Sequence, residues 1–132
     1  ECKKENVTCI MAGGGKVRAL KFISDGLETW LNGTTMFYPE AIDVIYPAVM
    51  NNDTDTINYY NENIENPFFN NVVKKVGWHL AHKATLEFFG YGHRYERFPH
   101  ATLPHNDFEQ LNNVLSKIKT AFKQLMCRQS EI

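Results

Sequence analysis

The sequence predicts an all-α protein, a bundle of four to five helices tied by a terminal disulfide. Apolar residues recur at steps of three and four along several stretches of the 132-residue chain, which places them on one face of a helix. No stretch shows the alternation of apolar and polar residues between turn signals that indicates a strand. Residues 1–15 are predicted to be an N-terminal tail, and residues 16–132 a single helical domain.

The first two helices follow the tail. The first is predicted from about residue 16 to residue 31, with the exposed corner Asn32-Gly33 at its end. Its predicted buried stripe is Val17, Leu20, Ile23, Leu27, Trp30 and Leu31. The second helix begins at Pro39, a good first-turn residue, and Pro47 is expected to kink or stop it.

The middle of the chain predicts two further helical stretches. A weaker, Asn-rich helix is predicted over residues 55–64, and a longer one over residues 67–89 that Gly90 ends. Trp78 lies off the buried stripe of the longer helix, which predicts a helix–helix seam or an exposed position. Residues 93–105 then form a loop that mixes aromatic and basic side chains.

The last helix, predicted over residues 107–127, has the clearest pattern. Asp107 is expected to cap it, and Gln110 three residues later to complete a capping box. Its stripe is wide enough to predict a bundle core rather than a narrow coiled-coil seam. The stripe comprises Phe108, Leu111, Leu115, Ile118, Phe122 and Leu125, flanked by Val114, Ala121 and Met126.

Charge and composition limit the function. The formal net charge is −1, so no global field favours nucleic acid or an anionic membrane, and no apolar run is long enough to span a bilayer. We therefore expect neither nucleic-acid binding nor membrane insertion. Residue 1 is Glu, and we expect either a removed signal peptide or a trimmed chain.

Sequons and cysteines predict a secreted glycoprotein. The acceptor asparagines of the N-x-[ST] sequons are Asn6, Asn32 and Asn52. Cys127 lies on the last helix, and either Cys2 or Cys9 could pair with it across the whole domain. The odd third cysteine leaves a thiol that could link two copies as a homodimer. The alternative is three free thiols inside a cell.

Catalytic and metal-binding patterns are sparse. His79 and His82 are three residues apart and are the candidate metal ligands, although solvated histidines are the favoured interpretation. Glu62, Glu65 and Glu87 are expected to be surface charges. With no acid, base or nucleophile in a recognisable arrangement, we predict no enzyme activity and no cofactor.

The loop segment RYERF is the candidate partner-binding element, because Arg and Tyr are enriched at binding hot spots. Its candidate residues are Arg94, Tyr95 and Arg97, joined by Lys119 and Lys123 on the last helix. A packed crossover loop that covers the end of the bundle is an equally good interpretation. The predicted partner is an extracellular or cell-surface protein.

Two families share features with this chain. The cysteines near each end, the sequons and the final amphipathic stripe resemble the short-chain four-helix cytokines, and this implies a receptor ligand with long crossover connections. Gly26-Leu27 with Trp30-Leu31, Asn58-Tyr59 and Leu103-Pro104 resemble the gastropod sperm lysins, and this implies non-enzymatic recognition of egg-coat or gamete-surface protein. The receptor ligand is the first hypothesis, a lysin-like gamete-recognition protein the second, and a helical carrier of a small apolar ligand the third.

Overall fold

The computed structural model describes residue 5, residues 10–12 and residues 29–128. Most of the first predicted helix lies outside the described residues, as do Cys2, Asn6 and Cys9. The described part of the chain is mostly helical, which confirms the predicted class at that level. In the same part, no helix combines the length and the apolar composition that crossing a membrane requires.

Two short strands pair in parallel. Strand β1 (Ile10–Ala12) and strand β2 (Thr29–Leu31) lie with Ile10 opposite Thr29. We predicted a tail for the first segment and the last turn of a helix for the second, and both assignments are wrong. Segments of three residues have no periodicity to detect, and their backbone groups are paired by a partner distant in sequence.

Two 3₁₀ turns, Thr34–Met36 and Pro39–Ala41, lead into helix α1 (Ile42–Met50). Of the two effects predicted for Pro47, the stop is wrong, because α1 continues through this proline to its end, whereas the kink stays a prediction. Proline removes the hydrogen bond to the carbonyl four residues earlier, here that of Asp43.

The central helix (residues 54–76) contains two stretches of π-helix. In order it comprises α2 (Thr54–Tyr60), the π-helical segments Asn61–Glu65 and Phe68–Val73, and α3 (Lys74–Val76). We predicted a break before Pro67, but the backbone there is helical and the break is at Gly77. Gly77 has φ 85° and ψ 159°, which only glycine adopts without strain. Helix α4 (Trp78–Phe89) follows and ends at Gly90, as predicted.

The C-terminal segment forms two helices where we predicted one. Helix α5 (His105–Glu109) is capped by Pro104, and α6 (Asn112–Arg128) follows after a turn. The predicted capping box is wrong, because Asp107 lies inside α5 and the Gln110 side chain accepts a hydrogen bond from Lys75 instead.

The apolar stripe of α6 is the centre of the core, as predicted. Four of its members are 0% exposed, namely Leu115, Ile118, Phe122 and Leu125, and Leu111, in the turn just before α6, is 1% exposed. Helix α6 runs antiparallel to the central helix, since the hydroxyl of Tyr59 lies 2.6 Å from Oε1 of Gln124 and Nζ of Lys75 lies 2.8 Å from Oε1 of Gln110.

Candidate functional site

The segment between α4 and α5 carries the most exposed aromatic side chains of the described chain. We call residues 91–100 the aromatic loop. Its three exposed rings are Tyr91, Tyr95 and Phe98, at 53%, 68% and 97% exposure. Arg97 is also exposed, between the last two rings. The loop therefore presents apolar rings and a guanidinium to solvent.

Arg94 fixes the inner side of the aromatic loop. Its backbone N–H donates to Oε2 of Glu87 at 2.6 Å, and its guanidinium pairs with Oε1 of the same carboxylate. Its Nε donates to the carbonyl of Leu103 at 3.1 Å, and its Cζ lies 4.5 Å from the centre of the Phe108 ring. The buried side chain of Arg94 thus joins the end of α4, the backbone at Leu103 and helix α5.

Glu96 provides the second attachment. One carboxylate oxygen lies 2.6 Å from Nε2 of His79 and 3.7 Å from Nζ of Lys83, both on α4. The same lysine donates to the carbonyl of Tyr95, and the Glu96 backbone N–H donates to the hydroxyl of Thr102. The loop is held on both sides of its exposed rings.

The predicted partner-binding residues divide into two groups. Tyr95 and Arg97 are exposed and available, whereas Arg94 is 9% exposed and committed to internal contacts. Lys119 and Lys123 lie on α6, and Nζ of Lys119 is 5.3 Å from the centre of the Phe89 ring. Arg94 is therefore a structural residue that supports the loop.

Two of the carboxylates predicted to be surface charges are not. Glu65 is 5% exposed, and Glu87 binds Arg94. The sequence contained a local signal for the Glu87–Arg94 pair, since a carboxylate and a guanidinium flank the Gly90–Gly92 turn. The other contacts of Arg94, with Leu103 and Phe108, come from further along the chain, and a local pattern does not reveal them.

The two histidines proposed as metal ligands point to different places. His79 turns outward to Glu96, whereas His82 is 7% exposed beneath Trp78. No group of three or more potential ligands is brought together within the described ranges.

His82 is held as a neutral imidazole. Its Nδ1 donates to the carbonyl of Trp78 at 2.8 Å, since a carbonyl can only accept. Its Nε2 is buried without a hydrogen-bond partner in the described structure, and it faces Gly33, where a Cβ would lie only 3.2 Å away. Burial lowers the pKa of His82, and this outweighs the hydrogen bond to the Trp78 carbonyl, which acts to raise the pKa.

This environment predicts an acid-sensitive contribution to stability. Unfolded, His82 titrates near its ordinary value of 6.5, whereas folded it resists protonation. Below that pH the unfolded chain binds a proton that the folded chain does not, so the free energy of unfolding falls as pH decreases. Urea denaturation at several pH values should show a weaker fall for His82→Leu than for the wild type. Parallel curves for the two proteins would contradict this assignment.

The two described sequons differ in accessibility. The Nδ2 of Asn32 donates to the hydroxyl of Tyr60 at 3.0 Å, and its Oδ1 accepts from the backbone N–H and hydroxyl of Thr34. Thr34 is 1% exposed, and Asn32 and Gly33, which we predicted to form an exposed corner, are only half-exposed. Asn52 is exposed at φ 56°, at the turn between α1 and α2.

Cys127 is exposed near the end of α6 and forms no disulfide within the described residues. Its predicted partners lie outside the described residues, so the disulfide stays a prediction.

The chemistry available at the aromatic loop is that of recognition: rings for apolar contact and Arg97 for a carboxylate. Comparison with known proteins adds no relative, since no protein family, curated protein or solved structure matches this chain.

Proposed function

We propose that this chain is a secreted, non-enzymatic binding protein that contacts a partner protein through its aromatic loop. The observation that supports this most directly is the 97% exposure of the Phe98 ring on a loop held from both sides. An aromatic ring in water contributes nothing to the core of the protein that carries it. Placed in a pocket of a partner, it buries a large apolar area.

The two attachments of the loop favour affinity. A loop already fixed by Arg94 and Glu96 loses less conformational entropy on binding than a free segment would. The matching partner surface has an apolar pocket for Phe98 and a carboxylate for Arg97. Aromatic and arginine side chains are the usual anchors of such contacts.

The connectivity of the helices separates the two proposed families, and with them the class of partner. A cytokine-like receptor ligand requires two long crossovers, whereas a lysin-like gamete-recognition protein has consecutive antiparallel helices. Within residues 29–128, α1 joins α2 through three residues and Gly77 alone joins α3 to α4. The only long connection there is the one before α5. That connection lies where the second crossover of the cytokine topology would be, and the first predicted helix lies mostly outside the described residues, so we keep the receptor ligand as the first proposal and recognition of egg-coat or gamete-surface protein as the alternative.

No described cavity favours the carrier hypothesis. The apolar space between α1 and α2, lined by Ile45, Val49, Ile57 and Tyr60, is too small for a ligand.

The covalent part of the proposal concerns a glycan and a disulfide. Asn52 is the described sequon with the more accessible side chain. Exposed Cys127 is available to Cys2 or Cys9, and the remaining cysteine could join two copies. A non-reducing peptide map of the secreted protein, before and after amidase treatment, tests both features. A free Cys127 thiol, or an unchanged mass, would remove the corresponding one.

Phe98→Ala should weaken partner binding by at least about tenfold, because it removes the most exposed anchor without disturbing the core. Fluorescently labelled protein is titrated onto isolated egg coats and, separately, onto intact cells of the source tissue. Saturable binding to coats alone supports gamete recognition, and binding to cells alone supports a receptor ligand.

Met50→Ala provides the matched control. Met50 is 46% exposed on α1, so its truncation also removes exposed apolar area but lies on another element. It should leave the binding curve unchanged. Equal curves for the wild type and Phe98→Ala would reject the aromatic loop as the contact, and so would a complete absence of saturable binding to either surface.

A further inference from the structure

A long groove lies between the central helix and α6, on the side of the molecule where their facing side chains are polar. Its volume is about 740 Å³, within the usual range of small-ligand sites. We propose that this groove binds an extended peptide segment with an acidic end. Such a site is separate from the aromatic loop, which contributes no residue to it.

The helix register gives the direction of the groove. Lys75 meets Gln110 at one end, and Tyr59 meets Gln124 near the other. Residues 63 to 75 of one wall span less than about 18 Å, the length at 1.5 Å per residue, because much of this wall is π-helical and its wider turns rise less per residue. That length matches at most about five residues of extended chain at 3.3 Å each.

One wall of the groove is formed by the π-helical segments. Asn63 lies on the first of them and Asn71 on the second. Wide turns of this kind are rare and occur often at functional sites, because they rotate side chains away from the regular helical positions. Pro67 lies between the two segments and lines the groove as well.

The chemistry of the lining suits a peptide backbone. Side-chain amides carry both a donor and an acceptor, as does each peptide unit. The amides of Asn71 and Asn113 make no hydrogen bond in the described structure, whereas Gln110 and Gln124 accept from neighbouring side chains. The amides of Asn71 and Asn113, one on each wall of the groove, can therefore bind the N–H and C=O groups of an extended chain, as a neighbouring strand would.

The apolar and charged side chains of the lining further restrict the class of ligand that the groove can bind. Small apolar surfaces of Pro67, Val114 and Ala121 also line the groove, and none of the described residues that line it is aromatic, so none of them can stack on a sugar. Lys75 lies at one end beside Gln110, Lys117 lies near the middle, and Glu62 lies toward the other end. A ligand carboxylate is thus favoured at the lysine end and disfavoured beside Glu62.

The experiment selects random hexapeptides displayed on phage with the immobilised full-length protein. Enriched peptides are synthesised, and their affinity is measured by fluorescence anisotropy. We expect enriched sequences to carry Asp or Glu at one end. Asn71→Leu and Lys117→Glu should each weaken binding by at least about tenfold, which corresponds to roughly 1.4 kcal/mol.

The chain offers a matched control for each variant. Asn70 is exposed directly beside Asn71 but does not line the groove, and Lys123 is exposed on the same helix as Lys117 but outside it. Asn70→Leu and Lys123→Glu should change affinity less than about twofold. These pairs differ in position rather than in chemistry, so a general loss of solubility or charge would affect both members.

Three outcomes would overturn the proposal. The first is that no peptide is enriched over bare support. The second is that Asn71→Leu binds the enriched peptides as tightly as Asn70→Leu does. The third is that a chitin-derived oligosaccharide binds at the groove and no peptide does. Phe98→Ala should leave peptide binding intact, so failure of the groove and failure of the aromatic loop are distinguishable.

Discussion

Replacement of Arg94 by alanine is expected to lower the free energy of unfolding by about 3 kcal/mol. The substitution leaves the Glu87 carboxylate without its cation and removes the donor to the Leu103 carbonyl. A buried charge that loses its partner is strongly destabilising. We expect the lower end of the usual range, because the Glu87 side chain keeps 20% of its surface in water.

Arg97→Ala is the matched control for this prediction. Arg97 lies on the same loop, three positions further on, but it is exposed. Its truncation should change stability by no more than about 0.5 kcal/mol. Urea denaturation of both variants measures the difference. If Arg94→Ala and Arg97→Ala were equally stable, Arg94 would not be the internal support of the loop.

A double-mutant cycle isolates the ion pair from the other contacts of Arg94. Glu87→Gln removes the charge of the partner but keeps its size and a hydrogen-bond acceptor. The cost of Arg94→Ala should be smaller in this background, because no carboxylate is then left unpaired. The residual cost reports the contacts with Leu103 and Phe108.

Phe37→Ala is expected to destabilise the protein by about 3–5 kcal/mol, the usual cost of truncating a buried aromatic residue. Phe37 is 0% exposed, in the connection between the two 3₁₀ turns. Its ring centre lies 5.1 Å from that of Phe68, 5.4 Å from that of Phe89 and 6.1 Å from that of Phe122. The substitution would leave a cavity among three elements.

Two further variants make this prediction quantitative. Phe37→Leu retains part of the volume, so its effect should lie between those of the wild type and Phe37→Ala if the cavity is the cause. Met36 directly precedes Phe37 in the chain but is 48% exposed, so Met36→Ala should cost less than about 1 kcal/mol. Denaturant midpoints that rank the three variants otherwise would mean that Phe37 is not a core anchor.

The aromatic loop shows which features of the candidate site residue patterns predict and which they do not. The composition of the loop drew attention to Tyr95 and Arg97, and both are exposed. The same composition suggested Arg94 as a contact residue, but it is buried. Alternate residues of one short segment face opposite ways here, and only the positions of Glu87 and Leu103 decide which way each faces.

The sequence by itself determined the helical class and the buried stripe of α6, because a period of 3.6 residues repeats over several turns and needs no partner to be detected. It also determined the helix end at Gly90, since a glycine at the C′ position marks such ends locally. Only the tertiary structure decided the strand pair, the continuity of the central helix through Pro67 and the core position of Phe37. Each of these depends on groups far apart in sequence, whose contact energy outweighs the local preference of the segment.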